Sequence, residues 1–400
     1  MSNGYVCVVG AGASGLMAAI SAARAGAEVV LIDSNDKVGK KLLATGNGRC
    51  NFTNKKLDSD LYCGENPSFV KKPLSVFDVD ETLAFFENIG ICSKDKNGYI
   101  YPRSLQAESI RRALENQVIS NNSIELLLAQ KVVSIKKKDD GFLIKAKSSD
   151  DVVSKINVDK VIIATGGKAD PSSGSDGNIF DILNNHDVKC NNSLPALVPL
   201  VSKDRFLRGL SGVRSEVSID FFVDDEKVYK RSGEIQFTDF GISGIVVFDG
   251  SGRIARGLSE NKKCHVVIDF MPEMDFSDCQ HFLENRKHDM TILDSVFNSK
   301  LSQALIEISD FKKKGNTLEL TKAIKGTKIE ITGTKDFDRA QVTTGGVLTD
   351  FIDENTMEYK DIPGLYFCGE VIDIDGPCGG YNLQWAWTSG YIAGKSAAND

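Results

Sequence analysis

Residues 5–33 read YVCVVGAGASGLMAAISAARAGAEVVLID, and this stretch decides the fold. YVCVV is a short apolar run with β-branched residues, closed by Gly10. That is the pattern of a strand buried on both faces of a parallel sheet. LMAAISAARAG is an alanine-rich helix that stops at Gly26, and EVVLI is a second buried strand ending at Asp33. Together they make one βαβ unit of about thirty residues. Between the first strand and the helix, Gly10-Ala11-Gly12-Ala13-Ser14-Gly15 matches GxGxxG. The first glycine permits the tight turn, the second lets a pyrophosphate approach the backbone, and the third lets helix and strand pack closely. The helix N-terminus offers free N–H groups and a positive dipole end. Asp33, eighteen residues beyond Gly15, is placed to accept the adenosine ribose hydroxyls and to repel a 2′-phosphate. NADP is therefore disfavoured here.

Three later features favour FAD over a simple nicotinamide dinucleotide. DKVIIA (159–164) is another buried strand, and Ala164-Thr165-Gly166-Gly167 supplies the small residues that a second backbone crossing near a cofactor needs. CGEVIDIDGPCGGYNLQWAWTSG (368–390) reads as a strand end, a turn with Gly369, Glu370 and Asp373, a Gly379-Gly380 turn, and a helix, giving a second helix N-terminus. LLATGNGRCNFTN (42–54) gathers turn residues around Arg49 and Cys50, and would extend contacts beyond the first βαβ unit. A second fingerprint, Gly250-Ser251-Gly252-Arg253-Ile254-Ala255 after the strand-like IVVF, fits GxGxxA. The segment after it is too short for a Rossmann helix and is expected to be a turn, so any NAD(P)H enters transiently or is not used.

The remaining chain reads as helices at 77–89 and 107–119, strands at 124–128 and 131–135 with a hairpin partner at 141–146, and a β-rich texture after Pro195. Residues 275–325 are polar and helix-like, and a final helix spans about 383–397. The expected organisation is one domain interrupted by an insertion between about 195 and 340.

The chain's 400 residues and 41% hydrophobic content are those of a globular protein with a sizeable core. A net charge of −7 disfavours a nucleic-acid or acidic-membrane surface, and Lys136–Lys138 and Lys312–Lys314 read as solvated runs. Nine scattered cysteines without a CxxC pair fit free thiols in a reducing cytoplasm. The four histidines, His186, His265, His281 and His288, lack metal-ligand spacing, so no metal site is expected. No signal peptide and no membrane span are read from the sequence.

GAGASG, KKLLATGNGRCNFTN, ATGG, GEIQFTDFGISG, VTTGGV and GLYFCGEVIDIDGPCGGYNLQWAWTSG together resemble the BaiN-like family of FAD-dependent oxidoreductases. Members of that family carry names such as aminoacetone oxidase and dehydro-bile-acid reductase. The resemblance covers nearly the whole chain. It implies an α/β fold with a Rossmann-like FAD-binding domain of the two-dinucleotide-binding type (1–194 and 341–400), interrupted by a β-barrel-like domain (195–271 and 327–340) and a small helical domain (272–326). Carried over by matching motif, Gly10, Gly12, Ala13, Ser14 and Gly15 would meet the pyrophosphate and Asp33 the ribose. Lys40 and Lys41 stand where the family often has Arg-Lys, keeping charge but losing arginine's fork. Thr45, Gly46, Arg49 and Asn51 would line the flavin side. Val133 would give main-chain contacts to the adenine. Ala164, Thr165 and Gly166 form the second crossing. Gly369, Glu370 and Asp373 would lie near the ribityl chain, and Gly380, Asn382 and Gln384 near the pyrimidine end or pyrophosphate.

The flavin carries the redox chemistry, so a catalytic side chain need not exist. Arg49, Cys50, Tyr381 and Cys378 are the candidates for proton handling, and Phe237, Thr238 and Phe240 are plausible cap residues. The expected function is hydride transfer between FAD and a small organic substrate. The alternative is a flavin-binding redox sensor or accessory module without turnover.

Overall fold

The computed structural model of the chain describes residues 4–286 and 291–399, so His288 lies outside the described residues. The chain divides into two compact units, residues 1–193 with 342–400, and residues 194–341.

The first unit is built on β1 (Tyr5–Val9), α1 (Ala13–Arg24), β2 (Glu28–Ile32), β3 (Ile124–Leu127), β4 (Lys160–Ile163) and β5 (Leu365–Phe367). Its sheet order is β3-β2-β1-β4-β5, with every pairing parallel. This is the first five positions of a Rossmann sheet, and the order reverses between β1 and β4. Val6, Val8, Val30, Ile32, Ile162 and Phe367 are wholly buried, as a sheet covered on both faces requires. A long helix, α2 (Tyr381–Asn399), lies against α1. The contact is made by small residues: a Cβ added at Gly390 would stand 2.4 Å from the Ser14 carbonyl oxygen, and one at Gly394 2.2 Å from that of Ala18. Residues four apart on each helix therefore let the two backbones touch. Around this core stand a three-stranded meander (Gln130–Lys138, Gly141–Ser148, Val153–Val158) and a smaller antiparallel sheet (Thr53–Asn54, Tyr99–Pro102, Ser93–Lys96).

The second unit holds a seven-stranded antiparallel sheet in the order Thr327–Ile331, Cys264–Asp269, Arg214–Val223, Glu226–Phe237, Gly241–Ser243, Leu200–Val201, Gly333–Thr334. Residues 327–334 supply both ends of that order. Their first part pairs with Cys264–Asp269 and their last with Leu200–Val201. Helices Phe276–Glu284, Ser299–Ile308 and Thr317–Gly326 occupy the interval expected to be helical. One expectation fails here. IVVF is not a strand: Ile245–Ser259 is a single helix, and the glycines of the GxGxxA pattern lie inside it. A Cβ at Gly250 would meet the Phe221 ring at 2.5 Å, and one at Gly257 the Val223 side chain at 2.8 Å. These glycines bring the helix down onto strand Arg214–Val223 and form no phosphate turn.

Candidate functional site

In an open α/β sheet the ligand crevice lies beyond the carboxyl ends of the strands where the order reverses. Here that point is flanked by Gly10–Gly15 after β1 and Ala164–Gly167 after β4. The two turns touch: a Cβ at Gly10 (φ +103°) would lie 2.5 Å from the Ala164 carbonyl oxygen, and one at Gly15 1.8 Å from that of Gly10. Gly12 differs, because nothing stands within 4 Å of its Cβ position. It begins α1 in an extended conformation and no side chain caps the helix, so the first-turn N–H groups carry no side-chain partner at the cap. Gly10 and Gly15 thus serve close packing, while the Cβ position of Gly12 is open.

A dinucleotide needs polar partners along its length, and the crevice has them to spare. Among the described residues, Thr165 Oγ1 on the turn after β4, Ser175 Oγ beside Gly166 and Asn51 Oδ1 in the buried half of the 42–54 loop are buried and have no hydrogen-bond partner. Burying such atoms unpaired is costly, so a ligand that satisfies them fits this site. Asp33 accepts the Ala11 N–H at 2.6 Å through one oxygen and the Asn35 N–H at 2.7 Å through the other. It therefore fixes the glycine turn, while a carboxylate's remaining lone pairs stay available to hydroxyls. The Gln130 N–H donates to the Asp33 carbonyl at 2.9 Å, which brings strand Gln130–Lys138 to this end of the crevice. The ladder of that strand skips one residue between Val132 and Ser134. Val133 is the bulged residue, so its main chain is released from the sheet where an adenine contact was expected. Lys40 Nζ donates to Asn35 Oδ1 at 3.4 Å and is solvent-exposed.

The tail of the chain closes on the same turns. Ser14 Oγ donates to the Cys368 carbonyl at 3.3 Å, and Gly369 (φ +78°) would drive a Cβ to 2.4 Å from that hydroxyl. Glu370 pairs with Lys41 Nζ at 2.8 Å and accepts the Thr343 N–H at 2.9 Å. Gly380 (φ +96°) lies against the Thr53 backbone, and Asn382 bridges both main-chain groups of Gly376 at 2.7 and 2.9 Å. Two candidates have side chains engaged within the chain. The Gln384 side chain is fully buried, accepts from Thr53 Oγ1 at 2.6 Å and donates to Thr82 Oγ1 at 2.8 Å. The Asp373 carboxylate is also fully buried and accepts the N–H groups of Gly345 and Glu65 at 3.0 and 3.1 Å. Both side chains tie loops together and have no exposed surface.

LLATGNGRCNFTN splits in two. Residues 43–49 are mostly exposed, with left-handed backbone at Gly46, Asn47 and Gly48, while 50–54 are buried. The buried half is anchored by Phe52, whose ring stands 4.9 Å from Phe86 and whose carbonyl accepts the Trp387 indole N–H at 2.8 Å. Thr45 Oγ1 donates to the Leu42 carbonyl at 2.6 Å and helps to shape the turn. Arg49 is exposed at the tip of this loop, and its guanidinium makes no hydrogen bond or ion pair among the described residues. Burial pushes the Cys50 thiol up to about 12, against a smaller lowering by Thr45. The thiol stays protonated at neutral pH, so Cys50 supplies no thiolate for proton handling. Iodoacetamide at about pH 8, with the sites read by peptide mass, is expected to label exposed Cys92 and to leave Cys50 unmodified until the fold is broken. The Tyr381 hydroxyl accepts the Asp58 N–H at 3.2 Å and donates to the Lys56 carbonyl at 3.3 Å, so it packs the 56–58 turn.

Sequence reading missed Asn35 and Ser175. The only signal for Ser175 was the density of small residues in PSSGSDG (171–177).

The chain matches the HI0933-like protein Rossmann domain over residues 5–396. It belongs to the HI0933-like family. Its curated relatives in that family include the 3-dehydro-bile acid delta(4,6)-reductase of Clostridium scindens, 38% identical over 98% of each chain. Another is the ribosomal RNA dihydrouridine synthase of Escherichia coli, 30% identical over 98% of each chain. Among solved structures, 3-ketosteroid delta1-dehydrogenase from Sterolibacterium denitrificans superposes with a TM-score of 0.54 at 10% identity, covering all of both chains, and shares the fold. The expected membership of the BaiN-like flavoproteins is borne out. So is FAD as the cofactor of this HI0933-like chain. Among the described residues no helix is long and apolar enough to cross a membrane.

Proposed function

We propose that this chain is an FAD-dependent oxidoreductase that reduces a carbon–carbon double bond conjugated to a carbonyl. The observation that carries the cofactor half is the crevice itself: an uncapped helix start, open space at Gly12 and three buried unpaired polar atoms. The substrate half draws on two relatives whose names share one chemistry. A 3-dehydro bile acid with a delta(4,6) diene and a uracil ring each present an alkene conjugated to a carbonyl. Bound FAD supplies a ring that accepts and donates hydride.

The rest is the work of the chain. The first turn of α1 holds the pyrophosphate, Asp33 the ribose, and the Val133 bulge the adenine edge. Ala164, Thr165 and Gly166, with Gly369, Glu370 and Lys41, would hold the middle of the cofactor. Thr45, Gly46, Arg49 and Asn51 line the flavin side. Residues 195–340 form an insertion in which segment 327–334 closes the sheet into a barrel, with helical residues 272–326 attached. Arg49 donates hydrogen bonds to the substrate carbonyl, which draws electron density from the far alkene carbon.

Arg49→Met is expected to lower kcat/KM for an enone about 10- to 100-fold with FAD content retained, and Arg49→Lys to recover part of the loss. The reading as a whole is tested by reducing the holoenzyme anaerobically with dithionite and mixing it with cyclohexenone, its saturated ketone, or an aliphatic amine. Reoxidation by the enone alone is the expected result. Equal rates with all three would overturn the substrate class.

A further inference from the structure

The meander of the first unit carries a charge arrangement that the crevice does not use. Side chains alternate across a strand, and directly paired residues share a face. The pairings are Lys131 with Lys147, Ser134 with Lys145 and Lys136 with Leu143, and across the next ladder Lys145 with Lys155. Lys138, two residues beyond Lys136, shares their side of the sheet. One face of three short strands therefore gathers Lys131, Lys136, Lys138, Lys145, Lys147 and Lys155, with no carboxylate from the strands themselves. The opposite face holds buried Val132, Ile135, Phe142, Ile144 and Ala146. Lys137 belongs to that other side, donating to the Pro363 carbonyl at 2.7 Å. The run Lys136–Lys138, read as plain solvated charge from sequence, is thus split by the strand, and two of its members join a larger basic face.

Neutralisation is incomplete. Lys131 pairs with Asp176 and Lys147 with Asp151, each at 2.7 Å, and Lys138 donates to Asn157 at 3.3 Å. Asp139, Asp140 and Asp150 sit in the turns at the two ends of the hairpins. Lys136, Lys145 and Lys155 make no ion pair among the described residues. Lys145 and Lys155 are directly opposed, an arrangement that destabilises a sheet unless an anion lies over it. The positive face stands on a chain of net charge −7, so it is a local departure from the global field.

We propose that this face binds the sugar–phosphate backbone of a single-stranded nucleic acid. The pleat sets the lysine Cα atoms about 7 Å apart along a strand and about 5 Å across strands, and the flexible stems let the ammonium groups follow a linear polyanion with regularly repeated charges. No aromatic side chain stands among the lysines, so bases find no stacking platform and the contact is to phosphate, independent of sequence. Exposed Val152 and Val153 lie only at the rim, too few to anchor the face in a lipid surface. The inference does not depend on the alkene-reduction reading, since binding is measured without turnover.

The test uses the FAD-loaded full chain and its Lys136→Glu/Lys145→Glu/Lys155→Glu variant with a fluorescent oligouridylate single strand, followed by anisotropy across a salt series. The parent is expected to bind at about 50 mM salt. The variant is expected to bind at least tenfold more weakly, with the slope of log K against log salt reduced by about 2, near 0.7 for each lost phosphate contact. Unchanged flavin absorbance and melting in the variant show that the fold is kept. A milder triple replacement by Gln serves the same comparison if the Glu variant does not fold. No binding by the parent, a salt slope untouched by either variant, or capture by phosphatidylserine vesicles or polyglutamate as strong as by the oligonucleotide would each overturn the proposal.

Discussion

Gly12→Ser is expected to yield a folded but colourless protein. Nothing lies within 4 Å of the Gly12 Cβ position, and the residue is already extended, so serine enters without collision or backbone strain. Serine is also a favoured N-cap, and its hydroxyl would take first-turn N–H groups that no side chain now caps. Those donors are the ones proposed to hold the pyrophosphate. The side chain would therefore occupy the ligand's space and consume its partners together. Losing one or two charge-assisted hydrogen bonds corresponds to a drop in FAD affinity of about 100-fold, or about 2.7 kcal/mol. Thermal unfolding of the FAD-free proteins should give variant and parent within roughly 2 °C of one another. Equal FAD content in the two purified proteins would remove Gly12 from the binding site.

Gly394→Leu should act in the opposite sense, on the fold first. The α1–α2 contact is backbone on backbone at this point, with 2.2 Å between the new Cβ and the Ala18 carbonyl oxygen. No rotamer change relieves such a collision, because the clashing atom is the Cβ itself. The helices must separate, and with them Ser14 from Cys368 and the tail from the glycine turn. Overpacking of this kind costs about 3 kcal/mol or more. For a unit of this size that is a fall in Tm of roughly 6–12 °C, with loss of near-ultraviolet circular dichroism and flavin. A melting point unchanged from the parent would show that the two helices are not held together by this contact.

The two variants separate what a glycine motif can do, and they bear on what the sequence made legible. The first βαβ unit was readable because its constraints are local: glycine spacing, two strands buried on both faces, and an acid at the end of the second. The joining of head and tail was readable only as a motif resemblance, since Gly390 and Gly394 are unremarkable in a helix until α1 is placed against them. IVVF misled because four apolar residues satisfy a buried strand and one side of a helix equally well. Strand Val153–Val158 was missed because it is half-exposed and polar, pairs on one side only, and carries little hydrophobic pattern. Gln384 and Asp373 have side chains already committed to hydrogen bonds within the chain, which their motif alone does not reveal. A motif shows which residues gather in one region, and the hydrogen bonds each side chain already makes show which polar atoms remain for a ligand.

Helix α2 has a consequence for how the protein comes into being. It is made about 350 residues after α1, which at ordinary rates of synthesis means that α1 waits on the order of 20–70 s for its partner. During that interval β4 lacks its outer neighbour β5, and the surface of α1 around Ser14 and Ala18 is bare. The nascent chain therefore has no complete nucleotide cleft to fill. Flavin loading belongs to the period after the tail has left the ribosome, and a chaperone that shields α1 in the meantime would raise the yield of yellow protein.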